Sequence, residues 1–280
     1  MRKLTNRLKR LLPSRLKRAL RVLYCYSIDF AESVLGLRDE FTPPRSKIFV
    51  GDASFRKPGE EFLRYFSELG GLKPDERVLD VGCGIGRMAV PLTRYLSSHG
   101  EYRGFDIVQE GIDWCQSRIS PKFPNFHFQL LDIYNRNYNP GGTRSAQDCS
   151  FPYEAGYFDF VLLTSVFTHM LPAEMENYFS EIARVLKRNG RCLITFFLLN
   201  AESRSLIDSG ESKLDFRYEI DGTLTVDERT PEAAIACDES WIRMTYQKVG
   251  LRIIEPIRFG SWCGRRDFLS YQDIVVAVRG

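Results

Sequence analysis

Three glycines at alternate positions, Gly82, Gly84 and Gly86, close the apolar run in "RVLDVGCGIGRM", and a carboxylate, Asp80, stands two residues before the first of them. Glycine permits backbone conformations and close approaches that side chains forbid, so such a loop brings main-chain N–H groups against the edge of a ligand. Spacing then sorts the ligands. A dinucleotide fingerprint, G-x-G-x-x-G, requires glycine at the position held here by Arg87, which disfavours a nicotinamide-dependent oxidoreductase. Asp80 is a poor neighbour for a pyrophosphate but suits an ammonium group, so an amino acid derivative fits better. Metal chemistry finds no support: His99, His127 and His169 show no ligand spacing, and the cysteines at 25, 83, 115, 149, 192, 237 and 263 include no C-x-x-C pair. An odd number of scattered thiols reads as buried and reduced, hence a cytoplasmic chain.

The loop needs a rigid mount, and from residue 60 onward apolar strands alternate with helical stretches. "RVLDVGCG" is followed by a helix from about Arg87 to Leu96, then "EYRGFDI", a helix through "EGIDWCQSRI", "FHFQLLDI", a polar loop over 134–150 and "YFDFVLLTSVF". A helix over "PAEMENYFSEIARVLK" leads through Asn189 and Gly190 into "RCLITFFLL". Strands that are nearly continuous apolar runs belong to parallel sheets covered on both faces. The expected fold is therefore a doubly wound α/β sheet, with ligands beyond the carboxyl ends of its strands. Residues 46–280 form this domain, with an insertion at about 200–240. There "FRYEIDGTLTVDE" alternates about Asp221-Gly222 as a hairpin with a type I′ turn does.

Residues 1–45 read as a basic amphipathic helical extension. Leu4, Leu8, Leu11 and then Leu16, Leu20, Leu23 recur at helical spacing, with Pro13 dividing two short helices. Of the 39 Lys and Arg residues nine fall within 1–21, where there is no acid, so the net charge of +3 hides a body with 30 basic and 36 acidic residues. That body is a poor surface for nucleic acid, and no nucleic-acid partner is expected. Three readings of residues 1–22 stand open: peripheral contact with an anionic membrane, a helix packing its leucines on the domain, or a transit peptide, which the scarcity of serine opposes. No apolar run approaches the roughly 20 residues of a spanning helix.

In its glycine motif and the acids that follow, residues 60–200 resemble the class I S-adenosylmethionine-dependent methyltransferases, with the strands from Leu251 to Val278 fitting the rest of the sheet. The resemblance implies a mostly parallel, seven-stranded, Rossmann-like fold and S-adenosyl-L-methionine as cofactor. It assigns cofactor contacts to Asp80, Gly82, Cys83, Gly84 and Gly86. Asp106, with Ile107 beside it, ends the second strand and would hold the ribose hydroxyls. Asp132, with Ile133, would meet the adenine amino group. Thr164 and Ser165 would line the site through their backbone. His169, just past the fourth strand, stands where the family places acceptor-facing residues: it is either a general base for a hydroxyl acceptor or a histidine that caps and packs.

The acceptor is narrowed by what is missing. "TSVF" after the fourth strand is not the Asn/Asp-Pro-Pro-aromatic signature of amino-group nucleic-acid methylation, no Pro-Cys dipeptide offers a cytosine-attacking thiolate, and no carboxylate cluster suggests a catechol-type metal site, so no metal is expected. A small-molecule or saccharide acceptor methylated at oxygen remains, with Trp262, Arg265 and Arg266 placed to face a sugar or acidic group, or else simply packed. A catalytically silent S-adenosylmethionine-binding protein is the other reading.

Overall fold

The computed structural model describes residues 14–36, 38–48 and 55–280. Five strands, β1 (Arg77–Val81), β2 (Glu101–Asp106), β3 (Phe126–Leu130), β4 (Phe158–Leu163) and β5 (Leu186–Phe196), pair in parallel, while β10 (Leu251–Ile253) and β11 (Asp273–Arg279) add antiparallel strands at one side. The order β10-β11-β5-β4-β1-β2-β3 makes a mostly parallel seven-stranded sheet, as the family resemblance implies. Its order reverses between β1 and β4, where a doubly wound sheet opens a crevice beyond the carboxyl ends of its strands.

Strand periodicity divides β1 between two cores. Leu79 and Val81 pack on one face of the sheet with Phe105, Phe167 and Phe179, while Val78 packs on the other with Tyr102, Ile112 and Phe160. Helix α5 (Pro172–Val185) buries Met175, Tyr178, Phe179 and Ile182, a helical spacing, against the first face. Pro172 suits its first turn, and Glu174 accepts a 2.8 Å hydrogen bond from the Leu171 N–H. Helices α2 (Arg56–Glu68) and α4 (Gln109–Arg118) cover the second face.

Helix α3, after the glycine loop, is shorter than its sequence suggests, Ala89–Leu92 in place of about Arg87 to Leu96. Pro91 lacks the N–H that would bond Arg87, and a proline ring crowds the carbonyl four residues back, so residues 82–88 form turns instead. Helix α5 likewise stops at Val185, and Asn189, at φ 61°, turns the chain within β5.

The insertion builds a second sheet, of order β6-β9-β8-β7, from β6 (Leu198–Leu199), β7 (Tyr218–Ile220), β8 (Thr223–Thr225) and β9 (Ile235–Asp238), joined by α6 (Ala201–Asp208). Asp221 and Gly222 both have positive φ, 47° and 78°, as the type I′ hairpin requires. Helix α7 (Glu239–Lys248) returns to β10. At the other end, α1 (Ser14–Val34) runs as one helix, while Leu4, Leu8, Leu11 and Pro13 lie outside the described residues.

Candidate active site

The carboxyl ends of β1, β2, β3 and β4 surround a cavity of about 870 Å³, which the insertion and the segment before β11 also line. Gly82, Gly84 and Gly86 have φ of 79°, 56° and 82°, conformations that side chains rarely adopt, which is the physical content of their spacing. The three do different things. A Cβ on Gly82 would lie 2.5 Å from Val166 Cγ2, and one on Gly86 2.9 Å from Cys115 Sγ. Gly86 thus packs the loop on α4 and is not part of the cavity wall. Gly84 is, and a Cβ there would meet nothing within 4 Å among the described residues: the loop offers bare backbone to an open cradle.

Asp106 fastens that cradle. Its Oδ2 accepts from the Gly84 N–H at 2.7 Å and its Oδ1 from the Val108 N–H at 2.8 Å, while the Phe105 carbonyl accepts from the N–H groups of Gly82 and Cys83 at 2.9 and 3.0 Å. Each carboxylate oxygen retains acceptor capacity toward the cavity that Asp106 lines. Burial pushes its pKa up, against the pull of these N–H bonds. Ile107, Ile133, Cys83 and Thr164 also lie in the wall, and burial raises the Cys83 thiol well above its usual range.

Besides Gly86, two expected contacts, Asp80 and Asp132, are not brought to the cavity. Asp80 is fully buried on the opposite face of β1, accepting from Tyr102 Oη at 2.6 Å, with Oδ1 unpartnered among the described residues. Strand alternation sends it there: Leu79 and Val81 take one face, so Asp80 takes the other. Burial pushes its pKa up to about 7, so it is no fixed anion for an ammonium. Asp132 is exposed and absent from the wall; it accepts from the Thr143 N–H at 3.1 Å and from the Thr143 hydroxyl, pinning the loop after β3. That loop instead contributes Tyr134, Asn135 and Tyr138 to the cavity, residues with no signal in the sequence beyond aromatics in a polar stretch.

His169 lines the cavity, and its Nδ1 lies 2.8 Å from the Glu232 carbonyl of the insertion. A carbonyl only accepts, so Nδ1 carries the proton and Nε2 keeps its lone pair. Tyr138 stands edge-on to the imidazole at 5.6 Å, and burial holds its pKa below 6.5. Ser165, at φ 61°, is fixed by its N–H to Thr195 Oγ1 at 2.7 Å and by Gln272 Nε2 donating to its hydroxyl at 3.0 Å. Glu174 and Lys213 complete the charged lining together with Arg87 and Asp106.

Trp262 and Arg265 face no acceptor. The indole is fully buried, donating to Asp273 Oδ2 at 2.8 Å, and the Arg265 guanidinium is spent on Glu202, Asn200, Gly260 and Asp273 beneath the small sheet. Arg266 is exposed and outside the wall; Ser270, Tyr271 and Gln272 are what this segment gives the cavity. Among the described residues no group of three or more His, Cys, Asp or Glu is placed to hold a metal.

Residues 79–194 match the family model described as a methyltransferase domain. A sterol 24-C-methyltransferase of Schizosaccharomyces pombe is 26% identical over 211 residues, 75% of this chain and 48% of the relative. A 2-phytyl-1,4-naphtoquinone methyltransferase of Trichormus variabilis is 24% identical over 127 residues, 45% of this chain and 49% of the relative. The chain thus spans about half the length of the curated relatives it matches. Among solved structures, a Pyrococcus horikoshii protein superposes with a TM-score of 0.57 at 17% identity, covering 84% of this chain and 95% of that one. The magnesium protoporphyrin IX methyltransferase of Synechocystis, crystallised with S-adenosylhomocysteine, superposes at 0.53 and 18% identity, covering 87% and 98%. At such identities the likeness is one of fold.

Proposed function

We propose that this chain, which belongs to the class I S-adenosylmethionine-dependent methyltransferase family, transfers a methyl group from S-adenosylmethionine to a small-molecule or glycan-type acceptor held in the same cavity. The observation that carries the reading is the bare Gly84 cradle clamped by Asp106. The cradle lets a cofactor edge meet the loop backbone, and the spare acceptor capacity of Asp106 suits the two ribose hydroxyls. Ile107 and Ile133 give the cavity apolar lining suited to a planar base, and Thr164 and Ser165 line it just past β4.

S-adenosylmethionine, when bound, supplies a methyl group already activated by its sulfonium, so the protein's chief task is to align an acceptor atom. His169 adds a neutral imidazole whose free Nε2 takes the proton from an acceptor hydroxyl, which is why we assign transfer to oxygen. The acceptor body rests on aromatic walls, Phe62, Tyr134, Tyr138 and Tyr271. A saccharide ring would stack on these tyrosines, since Trp262 and Arg265 are sealed away. The curated relatives named above, for a sterol and a quinone, support a small-molecule acceptor. We place the protein in the cytoplasm, which its seven free thiols support, with a peripheral membrane contact through residues 1–22. No described helix is long and apolar enough to cross a membrane.

Titration calorimetry tests the assignment. S-adenosylmethionine and S-adenosylhomocysteine bind the wild type, and Asp106→Ala weakens both by about 1.5–3 kcal/mol through loss of charge-assisted bonds. Unchanged affinity in that variant, or preference for a nicotinamide nucleotide, overturns the reading. Cofactor binding with no methyl transfer to a panel of hydroxylated acceptors would favour the silent binding protein.

A further inference from the structure

Helix α1 is mounted with the wrong face inward for a soluble helix. Its polar side is tied down: Asp29 Oδ1 accepts from Arg45 Nη1 at 2.6 Å and from Arg38 Nη1 at 2.5 Å, and Glu32 forms a paired contact with Arg45 at 2.6 and 2.7 Å. Residues 38–48 are in turn fixed to the catalytic body by the Phe41–Phe123 ring contact at 5.6 Å and by Lys47 with Glu110 at 3.4 Å. Leu23, Tyr26, Phe30 and Val34 are exposed by 68%, 56%, 73% and 70%. At 3.6 residues per turn these four fall within an arc of about 80°, and Asp29 and Glu32 lie in the opposite half. The ion pairs therefore hold the helix so that its apolar stripe points away from the domain.

A continuous apolar stripe in water calls for a partner. The adjoining sequence says which kind, since residues 1–21 carry nine basic residues and no acid. Two copies meeting on this face would bring those charges together, whereas an anionic lipid surface is complementary to them. Tyr26 adds to the stripe an aromatic ring with a polar tip, which suits a boundary between lipid and water.

We infer that α1 lies in the surface of an anionic membrane, with Leu23, Tyr26, Phe30 and Val34 in the acyl boundary and the Asp29–Glu32–Arg38–Arg45 cluster fixing the catalytic domain above it. The inference rests on the reading of residues 1–22 as a membrane contact and extends it: the leader supplies a salt-sensitive attraction and the stripe a salt-resistant one. A rigid mount of this kind fits an acceptor presented at a lipid surface.

The test is flotation of the full chain with phosphatidylcholine–phosphatidylglycerol vesicles at low salt and at about 0.5 M salt. Two variants are compared with the wild type: Phe30→Glu with Val34→Glu, and the four-site change of Arg15, Lys17, Arg18 and Arg21 to Gln. S-adenosylmethionine affinity is measured on each as a check of folding. The wild type should float under both conditions. The stripe variant should lose about tenfold or more of its high-salt binding with cofactor affinity intact, and the charge variant should lose mainly its low-salt binding. If all wild-type binding vanishes at high salt and the stripe variant matches it at low salt, the stripe inference falls while the leader reading stands. If the wild type never floats, both fall. A wild-type dimer that Phe30→Glu splits, with no vesicle binding, gives the face to a second copy and overturns the inference.

Discussion

A histidine whose Nδ1 is held by a backbone carbonyl has one nitrogen left for chemistry, and His169 turns that nitrogen's neighbourhood into the cavity wall. Because burial lowers its pKa below 6.5, the imidazole is neutral at neutral pH and loses its basic form only in acid. His169→Ala should lower turnover by at least about tenfold, such bases typically contributing about 10²–10⁴, leave cofactor affinity unchanged and remove the acid limb of the pH–rate profile. Near-normal turnover with the limb retained would show that another group or water takes the proton. Asp80 gives a prediction of stability rather than rate. Burial raises its folded pKa to about 7 from 3.8, so the folded state holds a proton that the unfolded chain has released. The stability this contributes is complete below about pH 4 and is lost as pH rises through 7. Asp80→Asn should flatten the stability profile across that window; urea midpoints measured at pH 5 and pH 8 that change as much in the variant as in the wild type would contradict it.

Elements decide which of these residues were legible beforehand. The glycine loop was, because alternate glycines after an apolar strand encode positive φ directly, and Asp106 was through the family resemblance, which implies an acid at the end of the second strand, where β2 ends. Asp132 looked equivalent to it, yet whether the residue after a strand faces inward depends on where the next loop leaves, and here Thr143 draws it outward. Pro91 announced the shortening of α3 in principle, but the competing apolar periodicity masked it. Least legible was the bond between His169 and Glu232, which joins residues 63 apart through the turn of the insertion. That turn, Pro231–Ala233, is held by Thr225 Oγ1 donating to the Pro231 carbonyl at 2.8 Å. Thr225→Val keeps the shape and removes the bond, leaving a carbonyl unpaired at a cost of about 1–2 kcal/mol. We expect kcat to fall with S-adenosylmethionine affinity unchanged, and Thr225→Ser to restore it. A variant with wild-type kcat would detach the insertion from the chemistry.

At the scale of the molecule, two sheets of unequal size must behave as one body, since the large sheet carries the glycine loop and the insertion that builds the small one carries the carbonyl that holds His169. A carboxylate joins them beside the apolar core that Leu198, Ile235 and Cys237 of the small sheet share with Phe167, Phe179 and Phe196. Asp273 opens β11 opposite Phe196 of β5, and it is fully buried. Its Oδ2 accepts from the Leu198 N–H of the small sheet at 2.6 Å and from Trp262 Nε1 at 2.8 Å; its Oδ1 accepts from the Gly260 N–H at 2.6 Å and from Arg265 Nη1 at 3.3 Å. Four donors converge on it, one from Leu198 and three from the segment 260–265, which explains why Trp262 and Arg265, so like ligand-binding residues in sequence, serve the scaffold. Burying this carboxylate is worthwhile only with all its partners present, because removing one side of a buried pair leaves the other charge and its N–H groups without compensation. Asp273→Ala should therefore cost about 3–5 kcal/mol, read from urea unfolding. In the wild type, tryptophan fluorescence, to which buried Trp262 contributes from beside the small sheet, and far-ultraviolet circular dichroism should give coincident midpoints. In Asp273→Ala the fluorescence transition should come first, and methyl transfer should fail at urea concentrations where cofactor still binds. Coincident, little-shifted transitions in the variant would mean that the apolar contacts of Phe197, Phe216 and Trp262 join the sheets without help from the carboxylate.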